Sequence, residues 1–195
     1  MKKNKPFIAK ALIVLGVVLI LAAAAAGVIV TFVQERPFSD PDAITAQLEA
    51  LMPPKKDAVK DHRLDPTMPQ VNCGGQNYVG TVKIGETDTL LPVLSSVTQP
   101  AMRRIACLHS GSPYDGSMII GGGKSLACLT NITPDCRVAV TDMRGAVFTY
   151  QAAEIHRADA FDPTHWDADE FDLILYYDKP FSSEYVIACF AACDP

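Results

Sequence analysis

Short stretches that alternate apolar with polar or small residues fill the second half of the chain, and glycine, proline, asparagine and aspartate separate them. This pattern predicts about eight short strands and little helix, which is typical of an all-β barrel or sandwich. Asp142–Gly145 has the composition of a hairpin turn between two of the strands. The predicted strands are Tyr78–Ile84, Thr89–Leu94, Ser117–Gly123, Arg137–Thr141, Val147–Tyr150, Ala152–Ala160, Phe171–Tyr177 and Tyr185–Phe190.

One helix is predicted ahead of the strands. Asp40 and Pro41 have the residue types of a helix start, and Ile44, Leu48 and Leu51 follow at helical spacing. The helix should end before the prolines at 53 and 54. We expect it to pack on the edge of the domain, with the docking of a partner helix as the alternative.

A longer apolar run precedes this helix. Residues Ala11–Val33 form 23 positions without a charged side chain, and four lysines lie before them. About 20 apolar residues span a bilayer as a helix, and the preceding lysines favour a cytoplasmic N-terminus. The run therefore predicts a single-pass anchor in the plasma membrane with the rest of the chain outside. The alternative is a signal peptide cleaved near the alanines at 22–26.

These patterns divide the chain into four parts. They are a basic cytoplasmic tail (1–10), a transmembrane signal-anchor (11–33), a juxtamembrane helix with a linker (34–70) and a β domain (71–195). The net charge of -5 and the pI near 5.3 argue against nucleic acid as a partner, because binding to phosphates requires a basic face.

All six cysteines follow the apolar run, so an exported domain would place them where disulfides persist. Six cysteines allow 15 pairings, and the spacing of Cys128 and Cys136 permits a local disulfide. No C-x-x-C pair is present and the histidines are scattered. We therefore expect neither a zinc site nor another cofactor, and structural rather than reactive cysteines.

Two strand ends carry a family resemblance. Ser117–Gly123 is a strand that ends in three glycines, and Phe171–Asp178 is a second strand, followed shortly by Tyr185. In this order they resemble the sortases, the membrane-anchored cysteine transpeptidases of bacterial cell surfaces. The resemblance extends from about Met68 to Phe190. It implies a closed barrel of about eight strands with short helices.

The resemblance also implies where the family chemistry would lie. The catalytic His, Cys and Arg of the family correspond here to Gly123, Asp178 and Tyr185. Glycine cannot transfer a proton, and aspartate is a weak nucleophile that repels a developing oxyanion. Tyrosine donates one hydrogen bond without a positive charge. The resemblance thus predicts a degenerate member without catalysis, in which these three residues and Trp166 form a binding site.

Relocated catalysis is the alternative interpretation. Cys107 and His109 lie two residues apart on a predicted strand and so share a face, as a nucleophile and its base would. Asp178 with His156 or His165 is a second combination for acid–base hydrolysis. In either case the chain would be an active transpeptidase or hydrolase with new catalytic residues.

The partners follow from the same resemblance. A non-catalytic member would hold a sorting-signal-like peptide, or would associate with an active sortase or its surface-protein substrate. The acidic and aromatic stretch Asp159–Asp172 lies where the family has a loop beside the substrate groove. A purely structural protein is a third interpretation, in which Tyr176, Tyr185 and Trp166 fill the groove.

Overall fold

The computed structural model describes residues 15–24, 40–57, 67–86, 89–162, 170–180 and 182–193. The chain forms two compact units, Met1–Arg36 and Pro37–Pro195. In the first unit, residues 15–24 are helical (α1), and the large apolar side chains among them are exposed. The rest of the predicted span 11–33 lies outside the described residues. Within the described part of the chain, no helix has the length and hydropathy needed to cross a membrane.

The described residues of the second unit form ten strands and three further helical segments. In chain order they are α2 (Pro41–Leu51), β1 (Lys56–Asp57), β2 (Val71–Cys73), β3 (Gln76–Ile84), β4 (Leu90–Leu94), α3 (Gln99–Met102), β5 (Ala106–Ser112), β6 (Ser117–Gly122), a 3₁₀ helix (Lys124–Asn131), β7 (Arg137–Asp142), β8 (Ala146–Ala158), β9 (Leu173–Asp178) and β10 (Tyr185–Ala192).

Eight of the strands close into a barrel. Their order around it is β3-β4-β5-β6-β9-β10-β8-β7, and β7 pairs again with β3. The β4–β5 and β6–β9 pairs are parallel and the other pairs are antiparallel. β1 adds to β8 and β2 adds to β3 outside the ring. The predicted all-β barrel with short helices is confirmed.

The predicted helix is confirmed as α2. The side chain of Asp40 accepts a hydrogen bond from the backbone N–H of Ala43 at 3.1 Å, and Pro41 occupies the first turn. The hydroxyl of Thr45 donates to the carbonyl of Leu90 in β4, and Leu48 is fully buried. α2 therefore packs against the barrel.

One strand prediction is wrong. The predicted strands Val147–Tyr150 and Ala152–Ala160 form one continuous strand, β8. Its first part pairs with β7 and its second part with β10. Gln151 is exposed between the buried Tyr150 and Ala152, so the alternation continues without a break. β1, β2 and the 3₁₀ helix have no counterpart among the predicted elements.

Two apolar layers lie on opposite faces of the strands. The larger layer has members from all eight strands of the ring and fills the barrel. The second layer lies on the outer face and has members from β2 to β6, β9 and β10. Leu48 of α2 and Met102 of α3 cover it, together with the half-buried Phe161 and Phe171. The outer face of these strands is thus a packed surface in its own right.

The expected disulfides are not formed, and this includes the local one that the spacing of Cys128 and Cys136 permits: all six cysteines are free thiols. The thiol of Cys136 instead donates to the carbonyl of Arg137 at 3.6 Å. Burial raises the pKa of both the Cys128 and the Cys136 thiols, so both favour the protonated form. Cys73, Cys107 and Cys189 are buried in the outer apolar layer.

A buried carboxylate holds the predicted turn between β7 and β8. Asp142 is 0% exposed, and its Oδ1 accepts hydrogen bonds from the backbone N–H groups of Arg144 (2.8 Å) and Ala146 (2.9 Å). Its Oδ2 accepts a hydrogen bond from the hydroxyl of Tyr114, which lies between β5 and β6. A buried charge requires such partners, and here they join two connections of the barrel.

We expect Asp142→Ala to lower the free energy of unfolding by about 3 kcal/mol, because it leaves buried donors without an acceptor. Tyr114→Phe removes one of these bonds and should cost about 1 kcal/mol. Urea denaturation followed by circular dichroism measures both changes. Asp135→Ala, at an exposed turn, is the matched control. A cost for Asp142→Ala no larger than that of the control would contradict this role.

Candidate functional site

Strand register brings together the three positions that the sequence resemblance predicts for the catalytic residues. In the parallel β6–β9 pair, Gly121 faces Tyr176 and Gly122 faces Tyr177, so Gly123 follows beside Asp178. In the antiparallel β9–β10 pair, Tyr185 lies directly opposite Asp178. Gly123, Asp178 and Tyr185 thus occupy adjacent positions across three neighbouring strand ends, called here the strand-end row.

The side chains of this row lie on the outer face of the barrel. Tyr177 belongs to the interior layer, while Tyr176 belongs to the outer layer. Successive residues of a strand point to opposite faces, so Asp178 lies on the same face as Tyr176. Tyr185 also packs against the outer layer. Asp178 and Tyr185 are partly exposed.

Gly123 lies against the backbone of the segment that connects α3 to β5. Its N–H donates to the carbonyl of Met102. A Cβ at this position would lie 2.9 Å from that carbonyl oxygen and 3.1 Å from the Cα of Arg103. Any side chain here would require movement of the opposing backbone. Glycine is therefore required by close packing, and an imidazole has no room at this point.

Tyr176 lies across Gly121 on the outer face. A Cβ on Gly121 would lie only 2.1 Å from Cζ of the Tyr176 ring. The phenol oxygen is 3.4 Å from Nδ1 of His109. Burial raises the pKa of Tyr176 to about 12, with smaller contributions from Cys107, Asp178 and Tyr185. The phenol is thus neutral at physiological pH.

Phe161 brings a third aromatic ring to this region. It lies just beyond the end of β8, its ring centroid is 4.8 Å from that of Tyr176, and it is 6.2 Å from that of Tyr185. Phe161 is partly exposed. The predicted binding residue Trp166 lies outside the described residues, as does His165.

Asp178 has no charged partner among the described residues. Two nearby cations, Lys179 after β9 and Arg157 in β8, engage a different carboxylate. Lys179 Nζ lies 2.7 Å from Glu184 Oε2, and Arg157 lies 3.6 Å from Glu184 Oε1. The hydrogen bond and charge of Lys179 lower the pKa of Glu184. The row therefore carries a negative charge that the hairpin does not neutralise.

Cys107, His109 and His156, the described histidine and cysteine candidates for relocated catalysis, are not arranged as a nucleophile with its base or as an acid–base pair with Asp178. Cys107 is 0% exposed, its thiol contacts the carbonyl of Ile105 at 3.7 Å, and burial raises its pKa to about 12. A nucleophilic cysteine needs a thiolate, which this environment disfavours. His109 contacts Tyr176. His156 contacts Glu154 at 2.8 Å and lies opposite Ile187, so the register does not place it beside Asp178.

Two close contacts were not predicted from the sequence. Gly121 lies against the ring of Tyr176, and Gly123 lies against the backbone of Met102 and Arg103. The signal was the run of glycines at the end of β6, because glycine in a strand often marks the close approach of another group. Of the residues that the structure describes, no group of three or more histidine, cysteine or acidic residues could hold a metal ion.

Comparison with known proteins decides the fold. No protein-family model matches the chain, and no curated protein matches it either. Solved structures do match. Sortase A from Corynebacterium diphtheriae is similar over 90% of this chain and 96% of that chain, at 15% identity and a TM-score of 0.52. The chain has a sortase-like fold.

Other solved sortases match with lower scores. Sortase C1 from Streptococcus agalactiae covers 60% of this chain and 67% of that chain, at 15% identity and a TM-score of 0.49. Sortase C from Clostridium perfringens SM101 covers 83% of this chain and 96% of that chain, at 11% identity and a TM-score of 0.49.

We expect Gly123→Ala to lower the free energy of unfolding by about 1–3 kcal/mol, because the added methyl group must displace backbone. Gly122→Ala is the comparison variant, since the nearest atoms to a Cβ there are Oγ of Ser125 at 2.9 Å and the side chain of Leu126 at 3.1 Å, which move more easily than backbone. Thermal and urea unfolding measure both variants. If Gly123→Ala is as stable as the parent protein, the proposed lack of space at this position is wrong.

Proposed function

We propose that this chain is a membrane-anchored extracellular domain of sortase-like fold that binds a peptide or protein segment without catalysing transpeptidation. The observation that carries the proposal is the composition of the strand-end row. The three adjacent positions contain no thiol, no imidazole and no guanidinium group.

The required chemistry supports this interpretation. Thiol transpeptidation needs a thiolate to attack a peptide carbonyl, a group that moves protons and a donor that stabilises the oxyanion. Gly123 offers no functional group and packs against backbone. The carboxylate of Asp178 would repel a developing oxyanion, and Tyr185 supplies at most one neutral hydrogen bond.

The partly exposed side chains beside the row support a binding role. Phe161 and Tyr185 present aromatic surface, and Asp178 presents a hydrogen-bond acceptor that has no partner among the described residues. Aromatic groups next to an unsatisfied polar group are common in recognition sites. The proposed ligand is a sorting-signal-like peptide, presented by a surface protein or held in a complex with an active sortase.

The proposed location follows from the apolar run 11–33, which is long enough to span a bilayer, with lysines before it. The N-terminus would be cytoplasmic and the barrel extracellular. An anchor would confine the domain to the membrane surface, where surface proteins are exported. Its local concentration relative to such partners would then exceed its average concentration in the cell envelope.

The test uses the full-length protein in detergent micelles with a panel of fluorescent cell-wall sorting peptides and an amine acceptor. Anisotropy measures binding, and mass spectrometry measures cleavage and amine transfer. We expect binding of at least one peptide, weakened about tenfold or more by Tyr185→Ala, with no product. Product formation that thiol alkylation abolishes would contradict the non-catalytic assignment. Failure to bind any peptide would contradict the binding role.

A further inference from the structure

We propose that the strand-end row binds a positively charged group, such as the side chain of a lysine or arginine in the bound segment. This inference rests on the proposed function and adds the chemical class of the ligand. The site consists of the carboxylate of Asp178 and the aromatic rings of Tyr176, Tyr185 and Phe161.

The first argument is the charge of the site. Asp178 is partly buried, and its carboxylate makes no hydrogen bond or ion pair with a described residue. Lys179 and Arg157 both contact Glu184. A carboxylate that is partly removed from water and lacks a counter-charge attracts a cation more strongly than an exposed carboxylate does.

The second argument is the aromatic surroundings of this carboxylate. Tyr185 lies directly opposite Asp178, at a position where cross-strand Cβ atoms are about 5 Å apart. Tyr176 lies two residues earlier on the same face, and the ring of Phe161 contacts both tyrosines. The faces of aromatic rings attract ammonium and guanidinium groups within about 6 Å. The partly exposed rings of Tyr185 and Phe161, backed by the buried ring of Tyr176, form a surface beside this carboxylate that suits a cation.

The third argument is selectivity against the opposite charge. The tyrosine hydroxyls could donate to an anion, but the neighbouring carboxylate would repel it. The raised pKa of Tyr176 keeps that ring neutral, so it adds no charge of its own. Phe161, Tyr185 and Asp178 are all partly exposed, so a side chain from outside can reach them.

The experiment starts from a ten-residue peptide that binds in the preceding assay. At each position of this peptide in turn, the residue is replaced by lysine, norleucine or glutamate. The three versions for one position differ only in that residue. At the best position we expect lysine to bind about tenfold more tightly than norleucine, and glutamate to bind more weakly than both. The preference for lysine should decrease as salt increases.

Variants of the protein test whether the strand-end row causes the preference for lysine. Asp178→Asn should lower the affinity for the lysine peptide about tenfold while leaving the affinity for the norleucine peptide unchanged. Asp135→Asn makes the same charge change at an exposed remote turn and should change neither affinity. Tyr185→Phe keeps the ring and should retain lysine binding, whereas Tyr185→Leu should reduce it.

Other outcomes would overturn the inference in distinguishable ways. Equal affinity for the three peptides at every position would reject the cation site and leave the peptide-binding function standing. An equal effect of Asp135→Asn and Asp178→Asn would attribute the preference to net charge and reject the site. No binding by any peptide would reject both the inference and the proposed function.

Discussion

Successive side chains of β9 point to opposite faces of the sheet, and this alternation determines what the strand-end row contains. Leu175 and Tyr177 enter the barrel, while Tyr176 and Asp178 lie on the outer face. A shift of one residue would bring Asp178 into the apolar interior and place Leu175 outside. Burial of the core therefore determines which side chains of β9 point to the outer face and reach the site.

The outer face is a packed layer, and the row lies at its edge. The Tyr176 ring covers Gly121, and the Met102–Arg103 backbone covers Gly123. The lack of space for a side chain at Gly123 is thus coupled to the position of the connection between α3 and β5. Asp178, the next residue of the row, gives it a negative charge. Lys179 and Arg157 do not neutralise this charge, since Glu184 engages both of them. Both features support the proposed binding role.

Local patterns predicted the local features well. The cap at Asp40, the end of α2 before the prolines, the turn at Asp142–Gly145 and the closed barrel are all found. The features that were missed depend on distant contacts. The continuity of β8 is set by its pairing with two different strands, and the position of Phe161 is set by Tyr176 and Tyr185. The expected disulfide depended on sulfur geometry, which residue spacing does not fix.

The pKa of a thiol placed in the row by Asp178→Cys tests the electrostatics of the site most directly. The pH dependence of iodoacetamide labelling at this site measures it, with free cysteine as the reference thiol. We expect a pKa at or above the ordinary value of about 8.5, because Glu184 engages Lys179 and Arg157, and the aromatic neighbours carry no positive charge. Adding Tyr185→Arg should lower it. A thiol pKa below about 7 in Asp178→Cys alone would show a site arranged for thiolate chemistry and would contradict the non-catalytic assignment.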